Sequence, residues 1–410
     1  MRVEEQVHPS VASDRSALPA LVPLAVVAGI SPLATDMYIP GLPQLATDLG
    51  TSAGVAQLSL MAFLVAFALG QLAIGPVSDA VGRRRVLLVG IAVFTLASVV
   101  CALAADPTVL VAGRLVQGLA GACGSIAARA MVTDVLVGHE RAQMIGSLAA
   151  VNAVGPVAAP LLGGILLLVG TWRSSFWVLT VIGAVLCAWA WVTFRETLPP
   201  ERRAVGLGLG ANVARMVALL KIPRLSLYLA TSCVATIGFF AYIATSSFVF
   251  QGFYGYSETQ YTLVFATNAS CMIVSTLAFR WLVGRVSEDR MLSVGLLVGT
   301  AASAGVLVGA LLGAPAGAVW ACLAVVTGSF GWTVTASSTR TQALGRVTPG
   351  TAAALQGGLS FGLGGLGTPL AGLLGGSPTA MGAIMVAGLG LAAVLQTVVP
   401  RVLRLSSSGE

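Results

Sequence analysis

Charged residues are scarce in this chain, and their scarcity excludes a soluble globular domain. Asp, Glu, Lys and Arg together make up 9% of the 410 residues, whereas hydrophobic residues make up 57%. A soluble domain carries roughly 25% charged residues. Because so few polar side chains cannot cover a water-exposed surface, we expect lipid to be the solvent of this chain.

Residues that bind metals or form disulfides are also few. The two histidines, His8 and His139, are far apart, and the six cysteines occur singly in apolar runs without CxxC spacing. GLSFG at 358–362 and GLGGLG at 362–367 match a nucleophile motif and a dinucleotide motif, but both lie in one glycine-rich apolar run, so we interpret them as packing glycines. The sequence therefore predicts no metal, no cofactor and no catalytic centre.

Long apolar runs dominate the chain instead. A run of about 20 residues can cross a hydrocarbon core of ~30 Å as a helix. We count twelve such runs, at roughly 20–40, 54–76, 86–105, 107–131, 142–169, 174–194, 225–249, 259–283, 291–312, 315–337, 352–374 and 379–400. The sequence therefore predicts an all-α integral membrane protein with twelve transmembrane helices in two six-helix bundles.

The arginines predict the orientation of these spans. With both termini in the cytoplasm, clusters such as Arg83–Arg85 and Arg195–Arg203 lie inside, and only Arg173 lies outside. Acidic residues near the amino terminus are wrong for a secretory signal. We therefore expect a multi-pass membrane protein, and we interpret the net charge of +7 as a consequence of this orientation rather than as a sign of nucleic-acid binding. The excess of arginine over lysine fits a GC-rich bacterial genome, so we expect a bacterial plasma membrane.

A polar interval divides the spans six and six. We predict a first half at 1–194, a cytoplasmic linker at 195–223 and a second half at 224–410. The linker contains a short amphipathic helix that we expect to lie on the membrane surface with one apolar face. That predicted face consists of Val213, Met216, Val217 and Leu220.

The two halves are related in sequence. GPVAAPLLGG at 155–164 recurs as GTPLAGLLGG at 367–376. Transporters are often built from such repeats, with the substrate site between them near the middle of the membrane. The repeat therefore predicts pseudo-symmetric bundles around a central site.

One carboxylate in the first apolar run is a candidate functional group. Asp36 lies beside Tyr38 and between Pro32 and Pro40, which both remove helical hydrogen bonds. A charged side chain in the middle of a membrane costs at least ~2.5–3.5 kcal/mol and is usually functional. We expect Asp36 to carry the proton that drives transport.

The segment GPVSDAVGRRRVLL at 75–88 resembles the loop signature of the major facilitator superfamily. In that family the aspartate pairs with basic residues and a helix end, and the loop latches the two halves on the cytoplasmic side. Ala80 stands where the family usually has a basic residue. By match, the conformational motif consists of Gly75, Asp79, Gly82, Arg83 and Arg84.

The fourth span contains RLVQGLAGA at 114–122, which resembles a second motif of the same family. Arg114, Gln117 and Gly118 share one helical face because they are three and four residues apart. In the family this arginine faces the central cavity and takes part in proton coupling. The alternative is that Arg114 extends to the outer interface, because Asp106 is only ~12 Å away along the helix.

The fifth span, NAVGPVAAPLLGG at 152–164, resembles the motif of the drug/proton antiporter branch. Small residues at 155, 159 and 163 form a row that admits a neighbouring helix, and we expect the contacts of Gly155 and Gly163 to change between access states. Proline in such a helix invites a kink. The motif residues are Gly155, Pro156, Pro160, Gly163 and Gly164.

The first span resembles one branch of these antiporters more closely. LATDMYIPGLPQLATDLG at 33–50 is similar to the bicyclomycin/chloramphenicol resistance (Bcr/CflA) branch, whose first helix carries an aspartate before a tyrosine and a proline. This resemblance implies the export of drugs in exchange for protons.

Aromatic and weakly polar side chains remain to form a binding pocket for flat, partly apolar molecules. No cluster of charges predicts a sugar phosphate or a nucleotide, and each candidate could instead be a packing or lipid-facing residue. The candidates are Tyr38, Phe63, Phe67, Gln117, Asn152, Phe239, Phe240, Tyr242, Phe265, Asn268, Trp332 and Phe361.

The sequence thus predicts a monomeric, proton-coupled exporter of drug-like molecules. The alternatives are an uptake permease and an intramembrane enzyme. The enzyme would need a base together with a metal or nucleophile at one depth, and the spans offer only Asp36 and Arg114.

Overall fold

The structure, a computed structural model, describes residues 21–203, 206, 208–346 and 348–407, and at some helical positions the backbone alone. The helices are α1 (Leu21–Asp36), α2 (Leu42–Asp48), α3 (Ala53–Val81), α4 (Arg83–Ala102), α5 (Pro107–Val135), α6 (Gly138–Val169), α7 (Arg173–Thr193), α8 (Leu209–Leu220), α9 (Pro223–Ser247), α10 (Glu258–Leu282), α11 (Glu288–Leu311), α12 (Ala316–Leu344), α13 (Pro349–Gly365), α14 (Gly367–Leu373) and α15 (Pro378–Ser407). Turns of 3₁₀ helix at Ile39–Gly41 and π helix at Phe248–Phe253 extend α1 and α9.

The predicted all-α membrane fold is confirmed. Each predicted span coincides with helical structure, as expected where lipid offers the backbone no hydrogen-bond partners. Within the described ranges, 10 helical segments are long and apolar enough to cross a membrane. The other two predicted spans are α6 and the α13–α14 pair.

Two of the predicted spans are interrupted. The first continues through the 3₁₀ turn and α2 to Asp48, beyond its predicted end near residue 40. The eleventh is interrupted at Leu366 between α13 and α14. Proline explains the second break, because Pro369 has no N–H to donate to the carbonyl of Gly365.

The linker helix α8 does not present the predicted single apolar face. Met216 is buried against the protein together with Leu219, whereas Val213, Val217 and Leu220 remain exposed. The apolar residues of α8 therefore divide between two faces, because the protein covers only one side of the helix.

We refer to α1–α7 as the first half and to α9–α15 as the second half. In the first half, α3 packs on α5, α1 on α6 and α4 on α7, and in the second α9 packs on α13 and α15, and α12 on α10 and α11. The halves meet where α3 packs on α13 and α14, and where α6 packs on α10. We call the end with Arg83, Arg203 and Arg285 the arginine-rich end, and the other the opposite end.

Candidate functional site

Asp36 lies where the first span breaks. It is the last residue of α1, and Pro40 cannot donate a backbone hydrogen bond to its carbonyl, so the helix stops and a 3₁₀ turn follows. The Asp36 side chain is only 9% exposed. The break thus positions a buried carboxylate beside backbone that helical hydrogen bonding no longer holds.

The surroundings of Asp36 come from both halves. It interacts with the Thr35 side chain and lies within electrostatic range of Arg114 in the first half and of Tyr242 and Tyr261 in the second. Among the ion pairs formed by described residues, none includes Asp36. The Asp36 carboxylate is therefore not held in an ion pair by the described residues.

Arg114 is fully buried in the first half, so it does not extend to the outer interface. Its Nε donates to the Ser59 carbonyl at 3.3 Å and its Nη1 to the Ala34 carbonyl at 2.9 Å. The guanidinium also lies 4.4 Å from the Phe63 ring centroid and 4.6 Å from that of Tyr38. Carbonyl dipoles and aromatic faces thus stabilise a cation that forms no ion pair with any carboxylate in the described part of the chain.

Two residues predicted to bind substrate, Gln117 and Tyr38, contact Arg114 or its hydrogen-bond partners. Gln117 accepts a bond from Arg114 Nη1 at 2.7 Å and donates to the Ser98 hydroxyl at 2.7 Å. Tyr38 is 2% exposed, and its hydroxyl lies 3.0 Å from that of Ser59. Both side chains fix the position of Arg114, and a role in substrate binding stays a prediction.

Seven of the predicted aromatic residues form one continuous chain across the two halves. Phe67 of α3 meets Phe361 of α13 edge to face, with ring centroids 5.6 Å apart, and this pair joins the halves. Phe361 in turn lies 6.0 Å from Phe240. The chain runs through Phe63, Phe67, Phe361, Phe240, Phe239, Tyr242 and Phe265.

The span-ten aromatic in this chain is Phe330 rather than Trp332. Phe330 stacks on Phe239 with centroids 3.8 Å apart, whereas the indole of Trp332 donates to the Ser275 carbonyl of α10 at 2.8 Å. Two residues along a helix rotate a side chain by about 200°, which explains why composition alone could not distinguish them.

Asn268 joins the aromatic chain through a hydrogen bond. Its Nδ2 donates to the Tyr242 hydroxyl at 3.0 Å, while its fully buried Oδ1 has no hydrogen-bond partner among the described residues. The side chain of Asn152, another predicted site residue, is not among those the structure describes. The second half therefore has a buried amide oxygen, Asn268 Oδ1, beside Tyr242. Tyr242 in turn lies within electrostatic range of Asp36.

At the arginine-rich end, the loop motif forms an ionic network within the first half. Arg83 pairs with Asp79 at 2.6 Å and with Asp134 of α5 at 3.1 Å. Arg84 donates to the carbonyls of Phe194 and Trp191 at the end of α7. The pairing of the motif aspartate with arginine agrees with the prediction, but these contacts do not bridge to the second half as the predicted latch would.

Two acidic residues of this network were missed from the sequence. Asp134 receives bonds from Arg83 and from the Thr197 hydroxyl, and Glu196 accepts the backbone N–H of Arg83 at 2.9 Å. Glu196 also explains the second motif glycine, because a Cβ on Gly82, whose φ is 109°, would overlap its carboxylate. The first motif glycine, Gly75, has no atom within 4 Å of the position a Cβ would take.

The second half contains a corresponding ionic network in which the positions of the acid and the arginine are exchanged. Asp289 at the start of α11 pairs with Arg340 near the end of α12, and it accepts a bond from the Tyr228 hydroxyl at 2.6 Å. In the first half the cation begins the third span and the acid ends the fourth. Here the acid begins the ninth span and the cation ends the tenth.

The glycines of the fifth span make the close contacts that their spacing predicted. A Cβ on Gly155 would overlap Pro32, and one on Gly163 would overlap the carbonyl of Met37, so α6 fits against the broken first span. A Cβ on Gly164 would overlap Thr262 of α10. The cross-half contact of α6 therefore involves Gly164, whereas Gly155 and Gly163 contact their own half.

Hydrogen bonds join the halves at the opposite end. Gln251, in the π turn, donates to the Pro40 carbonyl at 2.8 Å, four residues from Asp36. Gln57 of α3 donates to the Ala244 carbonyl of α9 at 3.1 Å. The broken first span is thus hydrogen-bonded directly to the second half.

Comparison with known proteins identifies the family. The chain matches the Major Facilitator Superfamily over residues 24–369. It is 35% identical over 380 residues to YdgK of Bacillus subtilis (strain 168), an uncharacterized MFS-type transporter, covering 92% of this chain and 94% of that protein. It is also 35% identical over 168 residues to the multidrug resistance protein MdtL of Shigella dysenteriae serotype 1 (strain Sd197), covering 41% of this chain and 43% of MdtL.

Solved structures share the fold at low sequence identity. A bacterial homologue of the human lysosomal transporter Spinster, inward-facing and unoccupied, matches with a TM-score of 0.69 at 20% identity, over 94% of this chain and 95% of that one. The peptide transporter POT matches with a TM-score of 0.75 at 14% identity over the same shares. Because the family match spans residues 24–369 and YdgK is 35% identical over 92% of this chain, the chain belongs to the major facilitator superfamily, a family of multi-pass membrane transporters.

Proposed function

We propose that this protein is a proton-coupled exporter that exchanges protons for drugs or other small, partly apolar molecules across a bacterial plasma membrane. The observation that carries the proposal is the placement of Asp36. It is a buried acid without an ion-pair partner, at a helix break that the second half contacts. Because the chain belongs to a family of transporters, such an acid is a candidate for coupling proton movement to substrate movement.

Coupling of proton movement to substrate movement requires that the protonation state of one side chain controls substrate binding. Asp36 takes a proton when the site faces outward and releases it when the site faces inward. Arg114 in the first half and Tyr242 and Tyr261 in the second lie within electrostatic range of Asp36, so the surroundings of Asp36 change if the halves move apart. Binding of substrate to the ionised form then couples the entry of protons to the exit of substrate.

The aromatic chain supports a flat, partly apolar substrate. Phe67 and Phe361 join the halves there, and Phe240 and Phe361 are only partly buried. The name of MdtL, a multidrug resistance protein, supports drugs as the substrate class. Membership of the Bcr/CflA branch, a monomeric state, cytoplasmic termini and a cytoplasmic arginine-rich end belong to the same proposal.

The test begins with a drug-susceptibility panel in an efflux-deficient bacterial host. The compound with the largest wild-type effect is then supplied to proteoliposomes under a pH gradient. We expect wild-type protein to concentrate this compound against its gradient, with protons moving the other way. Movement of compound and protons in the same direction would show an uptake permease instead.

The variant Asp36→Asn keeps the size of the side chain but cannot ionise. We expect it to reach the membrane in normal amount and to lose uphill transport. Asp106→Asn is the matched control, because Asp106 only caps α5 through the N–H groups of Thr108 and Val109, and asparagine caps equally well. Undiminished pH-driven accumulation by Asp36→Asn would overturn the coupling role.

A further inference from the structure

The linker helix α8 spans the seam between the two halves at the arginine-rich end. Asn212 Nδ2 donates to the Leu72 carbonyl of α3, in the first half, at 3.0 Å. Met216 and Leu219 pack into a separate apolar cluster with residues of the second half. The buried members of that cluster are Met216, Leu219, Leu225, Leu229, Ala352 and Leu355, and Leu72 packs against it.

This double attachment makes α8 a strap across the cleft between α3 and α13. A Cβ on Gly358 of α13 would lie 2.8 Å from Leu72 Cδ2, so the two helices touch beside α8. Separating them at this end would break the Asn212 bond or pull α8 away from the second half. The strap therefore has to move whenever this cleft opens.

A second face of α8 is apolar but uncovered. Val213, Val217 and Leu220 are 56%, 45% and 43% exposed. At about 100° per residue, they form a row roughly 100° around the helix from the row that packs on the protein. Exposed valine and leucine in a regular row predict contact with an apolar phase rather than with water.

The position of α8 and its charges indicate what that phase is. α8 ends three residues before Pro223, where a membrane-crossing segment begins, so it lies at the boundary of the hydrocarbon core. Lys221, the only lysine of the chain, is exposed at this end and flanks the apolar row. Arg215 is exposed on the side of the helix away from that row.

We infer that α8 is an anionic-lipid-binding strap. Val213, Val217 and Leu220 enter the acyl boundary, and the ammonium of Lys221 binds the phosphate of an anionic phospholipid such as phosphatidylglycerol. Bound lipid holds α8 on the seam between α3 and α13 and stabilises the arrangement in which this seam is closed. The inference concerns lipid alone and holds whichever substrate is transported.

The first test measures what surrounds the apolar row. The full chain, with its native cysteines replaced by alanine, is labelled with a nitroxide at Val217→Cys or at Arg215→Cys in nanodiscs of phosphatidylcholine and phosphatidylglycerol. We expect the label at 217 to be relaxed more by oxygen than by a water-soluble nickel complex, and the label at 215 to show the reverse. Equal exposure to nickel at both sites, or shielding of 217 from both reagents as a covering protein would cause, would overturn the inference.

The second test uses the full protein with its native cysteines intact. Native mass spectrometry measures how much phosphatidylglycerol stays bound to the purified protein. One basic residue near a membrane surface contributes about fivefold in anionic-lipid affinity. Lys221→Gln should therefore weaken retention about fivefold, and Arg215→Gln should leave it unchanged. Equal retention by the two variants would show that Lys221 does not bind the lipid.

Discussion

Alanine substitutions at two adjacent glycines of α6, Gly164 and Gly163, should have different effects. Gly164 contacts the second half, whereas Gly163 contacts its own half. A Cβ on Gly164 would overlap the Thr262 hydroxyl and lie 2.7 Å from Cγ2 and 2.9 Å from Cβ of that residue. The Thr262 hydroxyl is held by the Glu258 carbonyl at 2.8 Å. Rotation of Thr262 cannot remove a contact with its own Cβ, so α6 and α10 must separate by several tenths of an ångström.

Overpacking of this kind costs about 1–3 kcal/mol. If the contact exists only when the halves are closed at the opposite end, Gly164→Ala disfavours that conformation by about fivefold to a hundredfold. Gly163→Ala meets the carbonyl of Met37, within the first half, in either conformation. It should lower the thermal stability, displace the backbone beside Asp36, and leave the ratio of conformations unchanged.

Spin-label distances between Ser52, which caps α3, and Leu373, which ends α14, report the ratio of conformations, and thermal unfolding in detergent reports stability. Gly317→Ala in α12 is the control, because no atom lies within 4 Å of its Cβ position. A normal distance distribution for Gly164→Ala, or a shifted one for Gly163→Ala, would refute the assignment of the cross-half contact. Gly375, the repeat counterpart of Gly163, is unsuitable as a control because its φ is 92°.

Three further substitutions test the arginine site and the ionic networks. Arg114→Lys should reduce transport per unit of membrane protein at least tenfold, because an ammonium cannot reproduce the bonds to Ala34 and Gln117, each worth about 1.5–3 kcal/mol; transport near the wild-type rate would contradict this. Asp79→Ala should slow turnover while drug affinity stays within a few-fold, and a large loss of affinity in equilibrium binding would count against a conformational role. Asp289→Asn removes the acid shared by Arg340 and Tyr228 and should likewise slow turnover more than it changes affinity, which the same two assays compare.

The features that could be predicted from the sequence are those set by local composition. Apolar length predicts the spans, and helical spacing predicts that Gly155 and Gly163 admit a neighbouring element. Seven of the aromatic residues named as pocket candidates do lie in one chain of ring contacts, although the sequence left open whether each packs or faces lipid. These inferences need only the period of a helix and the chemistry of lipid.

The remaining features depend on contacts between distant residues. The choice of Phe330 over Trp332 depends on the rotation of α12, and the roles of Asp134 and Glu196 depend on which helix ends meet Arg83. The bond from Gln117 to Ser98, nineteen residues away, likewise could not be predicted, although helical spacing did place Gln117 beside Arg114. The division of α8 into two apolar faces likewise depends on the seam beneath it.

The central claim is that Asp36 exchanges protons for substrate, and proton movement on addition of substrate tests it most directly. Proteoliposomes enclosing a pH-sensitive dye receive a compound identified by the susceptibility panel, without an imposed pH gradient. Wild-type protein should move protons opposite to the compound, and Asp36→Asn, present in the membrane in equal amount, should move none. Compound transport by wild-type protein without proton movement, or full proton exchange by Asp36→Asn, would contradict the account.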